Sequence, residues 1–362
     1  MSKESDGTPL VATIVLNWNG ALDTIRCLAS LRDSTYTNLV LIVVDNGSTD
    51  DSLARLRSWR EETERRGSAS ERTPLVDYQW SPVQGLRPEA EAAVTRPFCI
   101  IESPDNLGFA AGCNVGIRLA LSMNADFVWL LNNDCEVDGH CLEHQVALLS
   151  RESRLDCLVP VIVMHEPHRI VWNCGGRLLP FGARRYLYAG APLQTIPSSG
   201  WRKVTFVTGC SLLLRRSTLL AAGLLCEDFF FGEEDMEYSI RLKRLRMRAG
   251  CCFDSQIVHR VSSTFTGKAL ASRHLGRMYA HYLNRLVHFR RYYPYPLWRL
   301  WRAAYLMFVV RPVLGKQHAT SRQATRNLIA SLRSESARLT KVSRETFFKV
   351  VREDFGDPSS LR

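Results

Sequence analysis

Continuous apolar runs recur at short intervals along the first half of the chain, and several end abruptly in a polar cluster. The run Val11 to Leu16 is rich in β-branched residues, the pattern of a parallel strand buried on both faces, and it ends in the turn Asn17-Trp18-Asn19-Gly20. Leu22, Ile25, Leu28 and Leu31 then fall at helical spacing, and a second buried strand, Leu39 to Val44, ends in Asp45-Asn46-Gly47-Ser48-Thr49-Asp50. A strand, helix and strand in this order predict a right-handed crossover and a parallel sheet. Phe98 to Ile101 is a further strand, followed by Asn106-Leu107-Gly108-Phe109 and a helix to about Met123. The strand Phe127 to Leu131 runs straight into Asn132-Asn133-Asp134.

The rhythm breaks between Ser58 and Arg96, where Glu, Arg, Ser and Pro predominate; this reads as a helix end and a long surface insertion. Residues 155–203 are mixed. Val204 to Leu214 reads as one strand with Thr208-Gly209-Cys210 in its middle. Beyond it the pattern predicts a helix from the Glu233 cluster to Arg248 and a strand near Cys251 to Phe253, ahead of His259. The expected architecture is α/β: a mostly parallel, Rossmann-like sheet flanked by helices over residues 1–265, with an insertion at about 58–97 and a helical extension over 266–362.

Charge sharpens that division. The 362 residues carry a net +11, but from Lys268 onward there are 19 Lys/Arg against 5 Asp/Glu, so the extension holds the excess. The eleven cysteines form no CxxC pair, and the polar start, Met1 to Gly7, lacks the apolar stretch of a leader; reduced thiols in a cytosolic compartment are expected.

Three strand ends deliver Asn17, Asp45 and Asp134 to one edge of a parallel sheet, the edge where open α/β folds bind ligands. Asp45 suits two roles equally well, an acceptor for the imide N–H of a uracil or thymine ring, or simple turn chemistry. Asp134 suits a hard divalent cation. No GxGxxG opens the first helix and no Walker lysine is present, which argues against dehydrogenases and P-loop enzymes. A nucleotide's diphosphate then needs another counter-charge, and a metal on Asp134 is the economical one. Glu233, Glu234, Asp235 and Glu237 put four carboxylates into five positions, more than helix capping needs. A carboxylate beside Phe229-Phe230-Phe231 is a reasonable general base, with Arg241 as an ion-pair partner, and His259 becomes a candidate metal ligand.

The segments Asn17 to Gly20, Val44 to Asp50, Asn106 to Asn114, Leu131 to Asp134, Thr208-Gly209, Phe230 to Asp235, and His259 together resemble family 2 glycosyltransferases, and within them a rhamnosyltransferase-like branch. The resemblance implies a GT-A fold. It places Asp45 on the donor's base and lines the donor pocket with Asn17, Asn106, Gly108, Asn114, Asn132 and Asn133. It puts a divalent metal, Mn²⁺ or Mg²⁺, on Asp134 with His259 nearby. Asp235, with Glu234, would be the base that deprotonates an acceptor hydroxyl. Asn132 stands where the family's metal motif begins with Asp, which removes one charge. The reaction implied is inverting transfer from a UDP- or dTDP-sugar, rhamnose by branch, to a glycan or glycolipid acceptor in cell-wall or polysaccharide assembly. Two rivals remain: a nucleotidyltransferase, which would need a phosphate-gripping basic loop near residue 20, and an inactive nucleotide-sugar-binding scaffold.

Residues 275–314 interleave arginines with Tyr, Trp, Leu and Phe, and Trp298, Trp301 and Tyr305 recur at helical spacing. The apolar run Ala303 to Val310 is far shorter than the about 20 residues of a spanning helix. An interfacial helix on anionic lipid at the cytoplasmic membrane face is the expectation, against a helix packed on the catalytic part with a solvated basic face. The charge would also suit nucleic acid, but no nucleic-acid module accompanies it, so none is expected as a partner.

Overall fold

The computed structural model describes residues 7–66, 75–81, 85–88, 98–165, 169–260, 268–317 and 322–352. Four parallel strands form the heart of a twelve-stranded sheet, in the order Phe98–Glu102, Leu39–Asp45, Val11–Asn17 and Phe127–Asn132. Beyond Phe127–Asn132 the sheet continues through the antiparallel strand Ser211–Arg215, then Cys157–Met164, Ala249–His259 and Trp201–Val204. The central runs are apolar at every position because each face meets a separate core. Ile14, Ile42, Val44 and Leu130 face one core, which includes the helix Phe109–Ser122; Val15, Val43, Trp129 and Leu131 face the other, with the helices Ala21–Arg32 and Cys141–Arg151. Helix Phe109–Ser122 sits so close that a Cβ at Gly112 or Gly116 would strike Leu16 or Ile14, and this fixes its N-terminus against the ligand edge.

Three expectations need correction. The insertion is more than a loop: helix Ser52–Arg66 runs well into it, and strands Leu75–Ser81 and Gly85–Pro88 extend the sheet beyond Phe98–Glu102. Its residues 67–74, 82–84 and 89–97 lie outside the described residues. Val204 to Leu214 is not one strand: Trp201–Val204 pairs with Ala249–Cys252, whereas Ser211–Arg215 pairs with Phe127–Leu131. The step between them buries Phe206 and Val207, so the sequence stays apolar through a crossing that is not a strand. The helix after the acidic cluster ends at Arg244, and Arg246 takes a positive φ before strand Ala249–His259 begins.

The extension comprises helices Lys268–His288, Tyr295–Tyr305, Arg311–Gln317, Arg322–Arg338 and Arg344–Arg352, the second running through a π-turn at Leu306–Val310 into the third. Their buried side chains share one cluster with Phe206, Phe230 and Met236, so this region is docked on the sheet domain. Trp298, Trp301 and Tyr305 turn inward, with the Trp301 ring stacked 4.8 Å from Phe289. Among the described residues no helix is long and apolar enough to cross a membrane.

Candidate active site

The register of the sheet places Asn17 beside Asp45 and Leu16 beside Asn132, so the polar strand ends share one edge. Asp45 is buried there in a net of donors. Its Oδ1 accepts from Asn17 Nδ2 at 2.7 Å and the Ser48 hydroxyl at 2.6 Å, and its Oδ2 accepts from the Ser48 N–H at 3.1 Å. Asn17 in turn accepts from the Thr24 hydroxyl at 2.7 Å, and Thr24 receives a bond from Asn133 Nδ2 at 3.0 Å. The turn reading of Asp45 is what these bonds show; its Oδ2 accepts one of them and keeps acceptor capacity for one more donor.

Asn106 and Gly108 act as braces. Asn106 Oδ1 accepts from the Gly108 N–H at 2.9 Å and from Asn46 Nδ2 at 3.1 Å. Gly108 holds φ 86° against the Phe230 carbonyl, leaving no room for a Cβ, while Phe109 N–H donates to that same carbonyl at 2.9 Å. The pair thus pins the segment ahead of the acidic cluster to the sheet edge. Asn114 does not join the strand-end residues. It is fully buried, and its amide is engaged with the Leu225 backbone at 2.9 and 3.0 Å and with Glu227 Oε1 at 2.8 Å, so it ties down that segment instead of facing the strand ends.

Asp134 Oδ1 lies 3.0 Å from His259 Nε2 at the edge. Burial disfavours the imidazolium, but the Cys210 sulfur and the Asp134 carboxylate outweigh it, and the His259 pKa rises to about 9. Asn132 Oδ1 is buried with no hydrogen-bond partner, an orphaned acceptor two residues from that ion pair. The carboxylate and imidazole, 3.0 Å apart, are a donor pair that fits a divalent cation of intermediate hardness, and the unused Asn132 oxygen is the nearest orphaned acceptor in sequence. Cys135 and Cys210, 3.6 Å apart, come within 4.8 Å of a His259 nitrogen. Burial first, then the contact with Cys210, raises the Cys135 pKa well above its usual range and keeps it a neutral thiol.

Across the site three consecutive carboxylates meet two guanidiniums. Glu233 begins helix Glu234–Arg244 in the left-handed region at φ 75°, a strained position for a non-glycine residue. What holds it there is a two-pronged Arg285 contact at 2.6 and 2.7 Å, with Arg184 at 3.2 Å. Burial alone would raise the Glu233 pKa, yet these two arginines hold it below the usual carboxylate range. Glu234 has no such partner. Burial, then the neighbouring Asp235 charge, pushes it up to about 8. Asp235 is raised chiefly by burial, with Arg184 Nη1 at 3.7 Å working the other way. Glu237 pairs with Arg241, as the sequence suggests.

Arg184, Arg285 and His281, whose Nδ1 lies 3.5 Å from Glu233 Oε1, have no signal in the local sequence, although four crowded acids demand counter-charges. Arg184 comes from the small hairpin of Gly176–Leu178 and Arg184–Tyr186, where it lies over Tyr186 and Phe206. That hairpin links the two halves of the site, since Tyr186 neighbours Trp172, and Trp172 packs 4.8 Å from the His259 ring. The second link is Thr208 to Cys210: a side chain at Gly209 would meet Glu234 Oε1 at 3.6 Å, and the next residue is Cys210 beside His259.

Comparisons with known proteins give the chain's family and fold. The chain is 28% identical over 201 residues to the galactofuranosyltransferase GlfT1 of Mycobacterium tuberculosis, a match covering 55% of this chain and 63% of that relative, so the chain spans somewhat under two thirds of it. In structure it is similar to the mannosyltransferase PcManGT from Pyrobaculum calidifontis in complex with GDP-Man and Mn²⁺, with TM-score 0.52 and 16% identity over 98% of this chain and 89% of that one. It is also similar to GalNAc-T7 with UDP, GalNAc and Mn²⁺, with TM-score 0.52 and 13% identity over 86% of this chain and 58% of that one. These neighbours show a GT-A fold. The family described as "Glycosyl transferase family 2" matches residues 13–68 and 83–219, more than half of the sequence, and the chain belongs to that family.

Proposed function

We propose that the protein transfers a sugar from a uridine or thymidine diphosphate donor to a hydroxyl of a glycan or lipid-linked acceptor, with inversion. The observation that carries this reading is the convergence, at one sheet edge, of the Asn17–Asp45 net and the Asp134–His259 pair, with the Glu234–Asp235 carboxylates linked to them through residues 208–210. Asp45 Oδ2, with its spare acceptor capacity, would take the imide N–H of the donor's base, which guanine presents differently. Asn132, Asp134 and His259 would hold a divalent metal, and such an ion, when bound, offsets the charge of the diphosphate leaving group. The two solved neighbours carry Mn²⁺, so Mn²⁺ is the first ion to test.

Asp235 serves as general base. Its side chain is partly open, whereas Glu234 is buried and protonated near neutral pH. A neutral Glu234 lets Asp235 carry the negative charge, and Arg184 at 3.7 Å favours the ionised form of Asp235 against the effect of burial while orienting it. One base without an enzymic nucleophile is the arrangement for inversion. Rhamnose, from the branch resemblance, and galactofuranose, from the named relative, are the first sugars to try.

Calorimetric titration of the whole chain with UDP, dTDP and GDP, each with Mn²⁺ and with EDTA, tests the donor half. The expected result is metal-dependent binding of UDP or dTDP over GDP, weakened about tenfold or more by Asp45→Asn. Equal affinity for GDP, or no nucleotide binding in either condition, would overturn it.

A further inference from the structure

A cavity of about 990 Å³ lies away from the sheet edge, between helix Tyr295–Gln317 and helix Arg322–Arg338. Its floor is apolar, built from Leu306, Met307 and Ile329, and small residues such as Ala303 and Ala330 leave the channel open. Among the described residues five arginines line it (Arg302, Arg311, Arg322, Arg326 and Arg333) and no carboxylate does. None of the five has an ion-pair partner among the described residues. On helix Arg322–Arg338 the spacing of Arg322, Arg326, Ile329 and Arg333 puts charge and apolar floor on one face.

Arg302 is the telling member. It is only 8% exposed, with its guanidinium 4.4 Å from the Trp298 ring and donating to the Arg333 carbonyl at 2.9 Å and the Ser336 hydroxyl at 3.2 Å. A buried cation with neutral partners and like-charged neighbours is an unfavourable arrangement unless an anion arrives from outside. Burial, and next Arg333, pull its pKa down, the mark of that missing counter-charge.

The same helix says where the anion comes from. Its inner side is Trp298, Trp301, Tyr305 and Leu306, while its outer side exposes Leu297, Leu300, Met307 and Phe308, the last at 77%. Met307 belongs to both this outer stripe and the cavity wall. An apolar stripe that opens into an arginine-lined channel matches an amphiphile whose chain lies in a bilayer and whose head is anionic.

We propose that this groove is a binding site for a single anionic phospholipid, its phosphate among Arg302, Arg326 and Arg333, with the outer stripe seated in the bilayer surface. The site anchors the chain to a membrane by one recognised lipid, independently of the transferase reading. It also revises the interfacial expectation: the aromatic residues at helical spacing are core, and the lipid-facing residues are the aliphatic ones and Phe308.

The test is flotation of the full chain with vesicles of phosphatidylcholine, with or without phosphatidylglycerol. Binding is expected only with phosphatidylglycerol. Arg326→Glu with Arg333→Glu should weaken it about tenfold or more, while Arg151→Glu with Arg154→Glu, an equal change of charge elsewhere, should leave it unchanged. Equal weakening by both pairs, equal binding to phosphatidylcholine alone, or no flotation with phosphatidylglycerol would each overturn the site. Phe308→Ser should weaken flotation while leaving heat stabilisation by short-chain phosphatidylglycerol intact. If inorganic phosphate stabilised the chain as well as that short-chain lipid does, the groove would be an anion site without lipid recognition. UDP titration of the same preparations keeps the two readings apart, since a chain that binds nucleotide but not vesicles loses only the groove.

Discussion

The sheet edge and the arginine groove handle charge in opposite ways. At the edge and the corner beside it, charges are met from inside: Asp45 is wrapped by Asn17 and Ser48, and Glu233 by Arg285 and Arg184. In the groove five guanidiniums face an apolar floor with no carboxylate among the described residues. A charge balanced internally stays put, which suits a site that must hold reacting groups still. A charge left unbalanced selects for a ligand of opposite sign, at some expense in stability until that ligand arrives. The proposed catalytic and anchoring sites thus differ in where the counter-charge resides.

The largest expected effect concerns the one acidic side chain at the corner that is left open for a proton. Asp235→Asn keeps the shape and removes the proposed base, so turnover should fall about 10²–10⁴-fold while nucleotide affinity is unchanged. Full activity in that variant would move the base elsewhere, and loss of nucleotide binding would make Asp235 structural. A glycosyl-transfer assay paired with UDP titration reads both.

Next is the internally balanced charge. Glu233→Gln leaves Arg285 and Arg184 buried beside a neutral group at a position already strained by its positive φ. Removing one partner of a buried pair costs about 3–5 kcal/mol, measurable as a lower urea midpoint at unchanged slope. A loss below about 1 kcal/mol would mean that the corner is wet and its ion pairs are weak.

Glu234 is the exception inside the balanced region, and pH exposes it. Its folded pKa of about 8 lies above the ordinary carboxylate value, so the folded chain holds a proton that the unfolded chain releases. The stabilisation is therefore fully present below about pH 4.5 and is lost as pH rises through 8. Thermal melts across this window should show a declining contribution that Glu234→Gln removes. An identical pH profile in wild type and variant would mean that Glu234 is ionised when folded.

What the sequence reveals divides along the same line. Strand ends were legible because a continuous apolar run stopped by Asn17, Asp45 or Asn132 and a turn is a local pattern. The acidic cluster was legible as a surplus of like charge. Its balance was not, because Arg184 and Arg285 lie far from Glu233 in sequence and reach it only when the hairpin and the first extension helix dock. Asn114 misled for the complementary reason: a polar residue in a recognised segment can serve the backbone of a distant loop, and nothing local distinguishes that use. The aromatic spacing in the extension gave the helix correctly but not which side faced the core, because Trp and Leu are equally apolar and only packing chooses between them.

The smallest expected effect is the sharpest test of the contrast. Arg326 is exposed, lines the groove and has no ion-pair partner among the described residues. Arg326→Ala removes one member of a like-charged set, so the fold should change by no more than about 0.5 kcal/mol, and the sign should be stabilising. Added salt screens the repulsion that remains, so wild type should gain on the variant as ionic strength rises. The corner behaves differently, because salt screens buried pairs such as Arg285 with Glu233 very little. If Arg326→Ala destabilised the chain as strongly as Glu233→Gln, the groove's charges would be balanced from within after all, and the distinction between the two regions would fall.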